Sequence, residues 1–139
     1  GTERGGEFAS STASMANRLM QPDGGFTFSP VTGDEPTDGF ALSLFPDRSE
    51  GLDAREISFE RLGQYIERNY DLLSQPGNYF GAWHDPQTGK AYLDVSRVVG
   101  SHEEAARLGR QHDQIAYFDL RAGKSVDINR NATSGGQAP

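Results

Sequence analysis

The chain has 139 residues, a net charge of −7 and no cysteine. Its length fits one domain with tails, and its acidity disfavours general binding to phosphate backbones, so nucleic acid is not the expected partner. The lack of cysteine excludes disulfides, thiolate metal sites and a cysteine nucleophile. No apolar run approaches the ~20 residues that a membrane-spanning helix requires, so no membrane partner is expected.

Apolar residues are distributed unevenly along the chain. Residues 1–25 and 129–139 are rich in small and polar residues, whereas nearly all Ile, Leu, Val and aromatic residues lie in 39–128. Ordering the backbone costs roughly 1–2 kcal/mol per residue, which such ends do not offset by burial. We therefore predict disordered tails over 1–25, which open on vector-like residues, and over 129–139. A single α+β domain is predicted over 26–128, with its core in 39–128.

The first predicted strands precede residue 46. Residues 21–38 are rich in Gly, Pro and Asp and predict an extended loop, within which Phe26-Thr-Phe28 alternates like a short edge strand. Residues 39–45 predict a second strand, with one strongly apolar face formed by Phe40, Leu42 and Leu44.

The residues after Ser58 carry the clearest helix signal. Ser58 is a suitable N-cap, and Ile57 and Leu62 have the spacing of a hydrophobic staple around it. Pro76-Gly77 ends the helix. Residues at steps of three and four predict one buried stripe, formed by Phe59, Leu62, Ile66, Tyr70 and Leu73.

Residues 78–99 predict a β-hairpin. The turn is Asp85-Pro-Gln-Thr-Gly89, in which Pro pre-sets a turn dihedral and Gly accepts a left-handed one. Strand alternation predicts that Leu93 and Val95 face the core, while Tyr92 and Asp94 face the other side. The same alternation separates Trp83, Gly81 and Tyr79 from His84 and Ala82, and we expect the Trp83 ring to be partly buried.

A second helix and two more strands complete the pattern. Ser101 and Glu104 form a capping box, 114–120 predicts a strand and 125–128 a short last strand. The order is β-α-β-β-α-β with one added β, which predicts an α+β fold with an antiparallel or mixed sheet and two helices on one face. A ferredoxin-like arrangement has this order, and a mixed sheet of another topology is its rival.

No catalytic motif is complete in the sequence. A nucleophile elbow is missing, and neither helix start has a glycine-rich phosphate loop. If the protein is an enzyme, the candidates are carboxylates on an exposed sheet face, Asp94 and Asp119, with His84 as a further acid/base. Their alternative role is as solvated residues on a wet sheet face.

A metal centre is not predicted, and no cofactor is expected. His102 and His112 are ten residues apart on one predicted helix, too far to share an ion. His84 beside Asp85 or Asp94 forms at most a partial site, and a surface histidine next to a turn is the simpler reading.

Aromatic residues and one arginine suggest a binding surface instead. Trp, Tyr and Arg dominate interface hot spots, so the candidate binding residues are Tyr79, Trp83, Tyr92 and Arg97. Packing in the core or at an edge is the alternative for the aromatic residues. Sheet aromatics can also stack single-stranded bases, but the acidic charge and the missing basic signature disfavour that function.

Three segments carry a resemblance to a known group of proteins. They are Gly81-Ala-Trp-His-Asp-Pro-Gln-Thr-Gly-Lys-Ala-Tyr-Leu-Asp-Val-Ser96, Glu104-Ala-Ala-Arg-Leu108 and Gln114-Ile-Ala-Tyr-Phe-Asp-Leu120. Together they resemble an accessory module of actinobacterial phage and prophage proteins, of the MuF-like head-morphogenesis or polyvalent virion type. The resemblance implies a location in the host cytoplasm or the virion, and it brings no catalytic residues.

The expected function is a non-enzymatic protein-interaction or structural module with a protein partner. Two alternatives remain. One is a small hydrolase or transferase that uses sheet-face carboxylates, and the other is a single-stranded nucleic-acid-binding domain.

Overall fold

The computed structural model of the chain describes residues 12–128. A first helix, α1, covers residues 12–20. The other α-helices and strands, in chain order, are β1 (Gly25–Phe28), β2 (Phe40–Ser43), β3 (Glu50–Asp53), α2 (Phe59–Arg68), α3 (Tyr70–Leu73), β4 (Asn78–His84), β5 (Lys90–Val99), α4 (His102–Gln111), β6 (Ala116–Asp119) and β7 (Lys124–Asp127). Short 3-10 helices cover Pro46–Arg48 and Ala54–Glu56. Within residues 12–128, no helix is long and apolar enough to cross a membrane.

The chain divides into two compact units. The described part of the first unit consists of residues 12–35 and 45–96, and that of the second consists of 36–44 and 97–128. Strand β5 passes from the first unit into the second.

Each unit contains antiparallel strands. In the first unit β1 pairs with β4 and β3 pairs with β5, both antiparallel, and β4 also neighbours β5. In the second unit β6 pairs antiparallel with both β2 and β7. Helices and antiparallel strands thus occur together, which confirms the predicted α+β class.

The helix α1 corrects the predicted N-terminal tail. Met15, Ala16 and Leu19 are buried in the core of the first unit, so the predicted disorder is wrong over residues 12–20. The composition of the segment is poor in apolar residues, but the few that it has are spaced along one helix face, and the rest of the unit covers them. Residues 1–11 and the predicted tail 129–139 lie outside the described residues.

Aromatic rings form the centre of the first unit. Phe26 and Phe28 of β1 point into the core, which confirms the short strand predicted there. The Phe80 ring meets Phe26 edge-on at a centroid distance of 5.0 Å and stacks on Tyr65 at 4.9 Å. Both arrangements are favourable for aromatic quadrupoles. The inner face of β4 is therefore fixed against α2.

Helix α2 begins as predicted but buries a different face. The Ser58 side chain accepts a hydrogen bond from the Arg61 N–H, which confirms the N-cap. Phe59 and Tyr70 are each 47% exposed, so their predicted burial is wrong, while Tyr65 is fully buried. Tyr65 moves the centre of the buried face away from both residues, and its hydroxyl donates to the Arg48 carbonyl at 2.8 Å.

The helical region is also interrupted at one residue. Asn69 lies between α2 and α3 with φ −114° and ψ 18°, which is not a regular helical geometry. Its buried side chain donates to the Tyr65 carbonyl at 2.9 Å and accepts from the Arg48 guanidinium at 3.0 Å. Arg48 also forms a bidentate pair with Asp71, and this pair lowers the pKa of Asp71.

In the second unit, small residues allow α4 to approach its neighbours closely. The Ser101 side chain accepts from the Glu104 N–H, which confirms the N-cap of α4. Ala105 and Gly109 are buried. A Cβ at Gly109 would lie 2.2 Å from the Ile128 Cδ1 atom, so the absence of a side chain makes room for Ile128.

We expect Leu62→Ala to lower the free energy of unfolding by about 2–5 kcal/mol, because it empties a fully buried site. Phe59→Ala is the matched control on the same helix and should cost less than about 1 kcal/mol, since Phe59 is exposed. Urea unfolding followed by circular dichroism measures both values. Equal losses for the two variants would contradict the packing of α2.

Burial, with smaller contributions from Asp94 and Glu50, raises the pKa of the Tyr65 phenol. The unfolded chain, with a tyrosine pKa near 10, therefore loses this proton first, and stability falls as pH rises above about 10. One such group contributes a slope of at most about 1.4 kcal/mol per pH unit. We expect Tyr65→Phe to reduce this alkaline loss in urea unfolding at pH 8 to 11; an unchanged slope would argue against it.

Candidate interaction site

The hairpin of β4 and β5 forms as the sequence predicts. The Asp85 N–H donates to the Lys90 carbonyl at 2.8 Å, and the Gly89 N–H donates to the Asp85 carbonyl at 2.8 Å. Gly89 has φ 74°, the left-handed conformation that the turn requires. The turn fixes the register of the two strands and hence which side chains share a face.

The two faces of the hairpin differ in burial. Leu93 and Val95 are fully buried with Phe80, which confirms the predicted inner face. On the opposite face Trp83 is 45% exposed and Tyr92 is 39% exposed. Two large aromatic side chains of one hairpin therefore contact solvent.

Strand pairing places the two exposed aromatic residues side by side between two glycines. Counting back from the closing pair at the turn, Trp83 lies across from Tyr92. On the outer strands, Gly25 pairs with Trp83 and Gly51 pairs with Tyr92. The row Gly25, Trp83, Tyr92 and Gly51 is called the aromatic face below. Its glycines carry no side chains that would cover the rings.

The two glycines have different structural roles. A Cβ at Gly25 would lie 2.3 Å from the Ala82 carbonyl oxygen, so strand packing itself requires glycine there. A Cβ at Gly51 would lie 3.5 Å from Tyr92 Cε1, an ordinary contact. Packing does not require glycine at position 51, where its main effect is to leave the Tyr92 ring uncovered.

One hydrogen bond orients the indole of Trp83. Its Nε1–H donates to the Asp23 carboxylate at 2.8 Å. Asp23 lies in a turn before β1 with φ 64°, a conformation that Asp and Asn tolerate better than most residues. The ring is therefore exposed but held in one orientation, consistent with the expected partial burial.

A polar pair lies beside the aromatic face. Ser96 donates to the Asp94 carboxylate at 2.9 Å, and a Cβ at Gly81 would lie 2.8 Å from both oxygens involved. Gly81 thus leaves the space on β4 that this pair occupies. This role of Gly81 was not predicted from the sequence, although the register of the turn places Gly81 directly across the hairpin from Asp94.

Two of the enzymatic candidates, His84 and Asp94, lie on opposite faces of the hairpin. His84 is buried, which corrects the expected surface histidine, because its ring lies on the core side of the hairpin. Its Nδ1 bonds the Leu19 carbonyl at 2.8 Å, and since a carbonyl only accepts, Nδ1 carries the proton. Asp94 lies on the opposite face. Asp119 belongs to the second unit, where it accepts from the Ala122 N–H in the β6–β7 turn.

The remaining binding candidates are distributed as follows. Tyr79 is half-buried on β4 and shares a strand face with Trp83 by alternation. Arg97 is half-buried and belongs to the second unit. Of the four predicted binding residues, the structure places Trp83 and Tyr92 in direct juxtaposition.

The second unit contains its own aromatic and histidine cluster. His102 Nδ1 and the Tyr117 hydroxyl are 2.8 Å apart, and the Phe40 ring lies 4.2 Å from the imidazole. Burial and the neighbouring Asp119 raise the pKa of Tyr117. Across residues 12–128, no three His, Asp or Glu side chains are grouped so that they would hold a metal ion.

The chain matches no protein-family model, no curated protein and no solved structure.

Trp83 is the only tryptophan, so its fluorescence reports on the aromatic face alone. We expect ready quenching by acrylamide because the ring is exposed. At low ionic strength, the ratio of caesium to iodide quenching should exceed that of free N-acetyltryptophanamide, because Asp23 and Asp94 attract cations and repel anions.

The control for this quenching ratio is Asp23→Asn, which keeps an acceptor oxygen for the indole N–H and removes the charge. The ratio should fall in this variant, and it should fall in the unmodified protein at high salt. A caesium-to-iodide ratio below that of free N-acetyltryptophanamide would contradict the acidic environment.

Proposed function

We propose that the protein is a non-enzymatic interaction module that binds a protein partner through the aromatic face. The observation that carries this proposal is the adjacent pair of exposed rings, Trp83 and Tyr92, between two glycines. Trp and Tyr contribute large contact areas at interfaces, and truncating such an anchor typically costs about 2 kcal/mol or more.

The rings are also preorganised for binding. Both lie on paired strands whose inner faces are fixed in the core, and the Trp83 indole is held by Asp23. A partner therefore pays little to order them, because the sheet has already restricted their backbone and the hydrogen bond restricts the Trp83 side chain. An accessible aromatic residue on a mobile loop would not offer this advantage.

Two finer features belong to the same proposal. The resemblance of residues 81–96, 104–108 and 114–120 to phage and prophage accessory modules supports a place in a larger phage-derived protein, in the host cytoplasm or the virion. The strand order β4-β5-β2-β6 supports a ferredoxin-like arrangement, because it is the order that a split βαβ unit requires.

The test uses fluorescein-labelled linear peptides with apolar, basic, acidic and polar central residues, and measures fluorescence polarisation. At least one class should bind the unmodified protein, and Trp83→Ala and Tyr92→Ala should each weaken that binding about 30-fold. Tyr70→Ala is the matched control, because Tyr70 is equally exposed but lies outside the aromatic face. It should leave the affinity unchanged.

A second, independent variant adds a side chain to the aromatic face where the first two remove one. Gly51→Leu adds a side chain over the Tyr92 ring without a steric conflict at Cβ. It should weaken peptide binding while leaving the urea midpoint within error of the unmodified protein. If Trp83→Ala, Tyr92→Ala and Gly51→Leu all bind every peptide as tightly as the unmodified protein and the Tyr70→Ala control do, the aromatic face is not the interaction surface.

A further inference from the structure

We propose that the aromatic face recognises an arginine side chain of its protein partner, with the guanidinium stacked on the ring of Trp83. This inference rests on the proposed function and adds the chemistry of the partner. It follows from the exposed ring faces, from the carboxylate bonded to the indole and from the charges around the site.

The exposed rings offer the electrostatics that a cation needs. An aromatic face carries negative quadrupole potential, and Trp attracts cations more strongly than Tyr or Phe. At exposed sites the attraction is about 0.5–1 kcal/mol. Arginine fits better than lysine because its planar group stacks on a ring while its edge donates hydrogen bonds.

Carboxylates lie close to the rings, where the N–H groups at the edge of a stacked guanidinium would point. Asp23 bonds the indole N–H at 2.8 Å, and this bond polarises the ring towards greater negative charge on its face. Asp94 is two residues from Tyr92 and shares its strand face. Asp53 pairs in register with Lys90. Arg55 lies 3.7 Å from Asp53, so this end of the face holds charges of both signs. Arg18 donates to the Gly25 carbonyl at 3.2 Å and pairs with Glu35. The carboxylate that the structure places directly against a ring is therefore Asp23, and the recognition of a cation depends on this acid.

The charge of the whole chain acts in the same direction. Asp and Glu number 20 against 13 Lys and Arg, which gives the net charge of −7. A long-range field of this sign attracts a basic segment and speeds its association at low salt. A nucleobase would also stack on Trp83, but its phosphates would meet the same carboxylates and the same field. A basic protein segment is therefore the partner that both the rings and the charges favour.

The experiment compares three labelled nonapeptides that differ only at the central residue: arginine, citrulline or glutamate. Citrulline has the shape of arginine without its charge. The proteins are the unmodified chain, Trp83→Ala, Asp23→Asn and the control Glu60→Gln, which removes an exposed charge on α2. A single-stranded oligothymidylate of twelve nucleotides is the nucleic-acid probe. All affinities are measured by polarisation at low and high salt.

We expect the arginine peptide to bind the unmodified protein about fivefold more tightly than the citrulline peptide, and the glutamate peptide to bind most weakly. Asp23→Asn should reduce the arginine-to-citrulline ratio towards one, and Glu60→Gln should leave it unchanged. High salt should reduce the same ratio. Trp83→Ala should weaken both the arginine and the citrulline peptide, and the arginine peptide more, so that the ratio of their affinities falls to about one.

The outcomes separate this inference from the proposed function. Equal binding of the three peptides, all lost in Trp83→Ala, would retain the interaction module and overturn the arginine preference. Tighter binding of the oligothymidylate than of any peptide, with the same dependence on Trp83, would overturn the choice of a protein partner. Peptide binding that is indifferent to Trp83 would overturn both.

Discussion

The first unit depends on the packing of Tyr65 against Phe80. The two rings stack at 4.9 Å, and the Tyr65 hydroxyl donates to the Arg48 carbonyl. One side chain thus joins helix α2, strand β4 and the turn that precedes β3. Because Phe80 is fixed inward, alternation along β4 turns Trp83 outward. The exposure of the aromatic face is therefore a consequence of how the core is filled.

Local signals in the sequence predicted local structure well. The turn at 85–89 and the caps at Ser58 and Ser101 depend on a few neighbouring residues. The turn and the Ser58 cap form as expected, and of the capping box predicted for Ser101 and Glu104 the bond to Ser101 forms. The burial of Tyr65 and of α1 depends on partners that are distant in the chain, so periodicity and composition did not reveal it. Asn69 had no sequence signal at all, since its role comes from contacts with Arg48 and Tyr65.

In the candidate site too, some features follow from neighbouring residues and others from residues that are distant in the chain. That Trp83 and Tyr92 are neighbours follows from the turn register, which the sequence contains. That glycines flank both rings follows from the pairing of β1 with β4 and of β3 with β5, which no local pattern specifies. The sequence also left His84 and Asp94 as joint candidates, whereas the hairpin assigns them to opposite faces. Counting alternate positions along each strand from the turn would have assigned His84 and Asp94 to opposite faces.

The connectivity of the two units has a further consequence for how the protein can be divided. The chain crosses between them at 35/36, at 44/45 and at 96/97, and the last crossing falls inside β5. Each unit is therefore built from two separate stretches of polypeptide, and no single cut releases either one whole. A continuous fragment that moves the aromatic face to another protein must span 23–94, so it also carries residues 36–44 of the second unit and it ends inside β5.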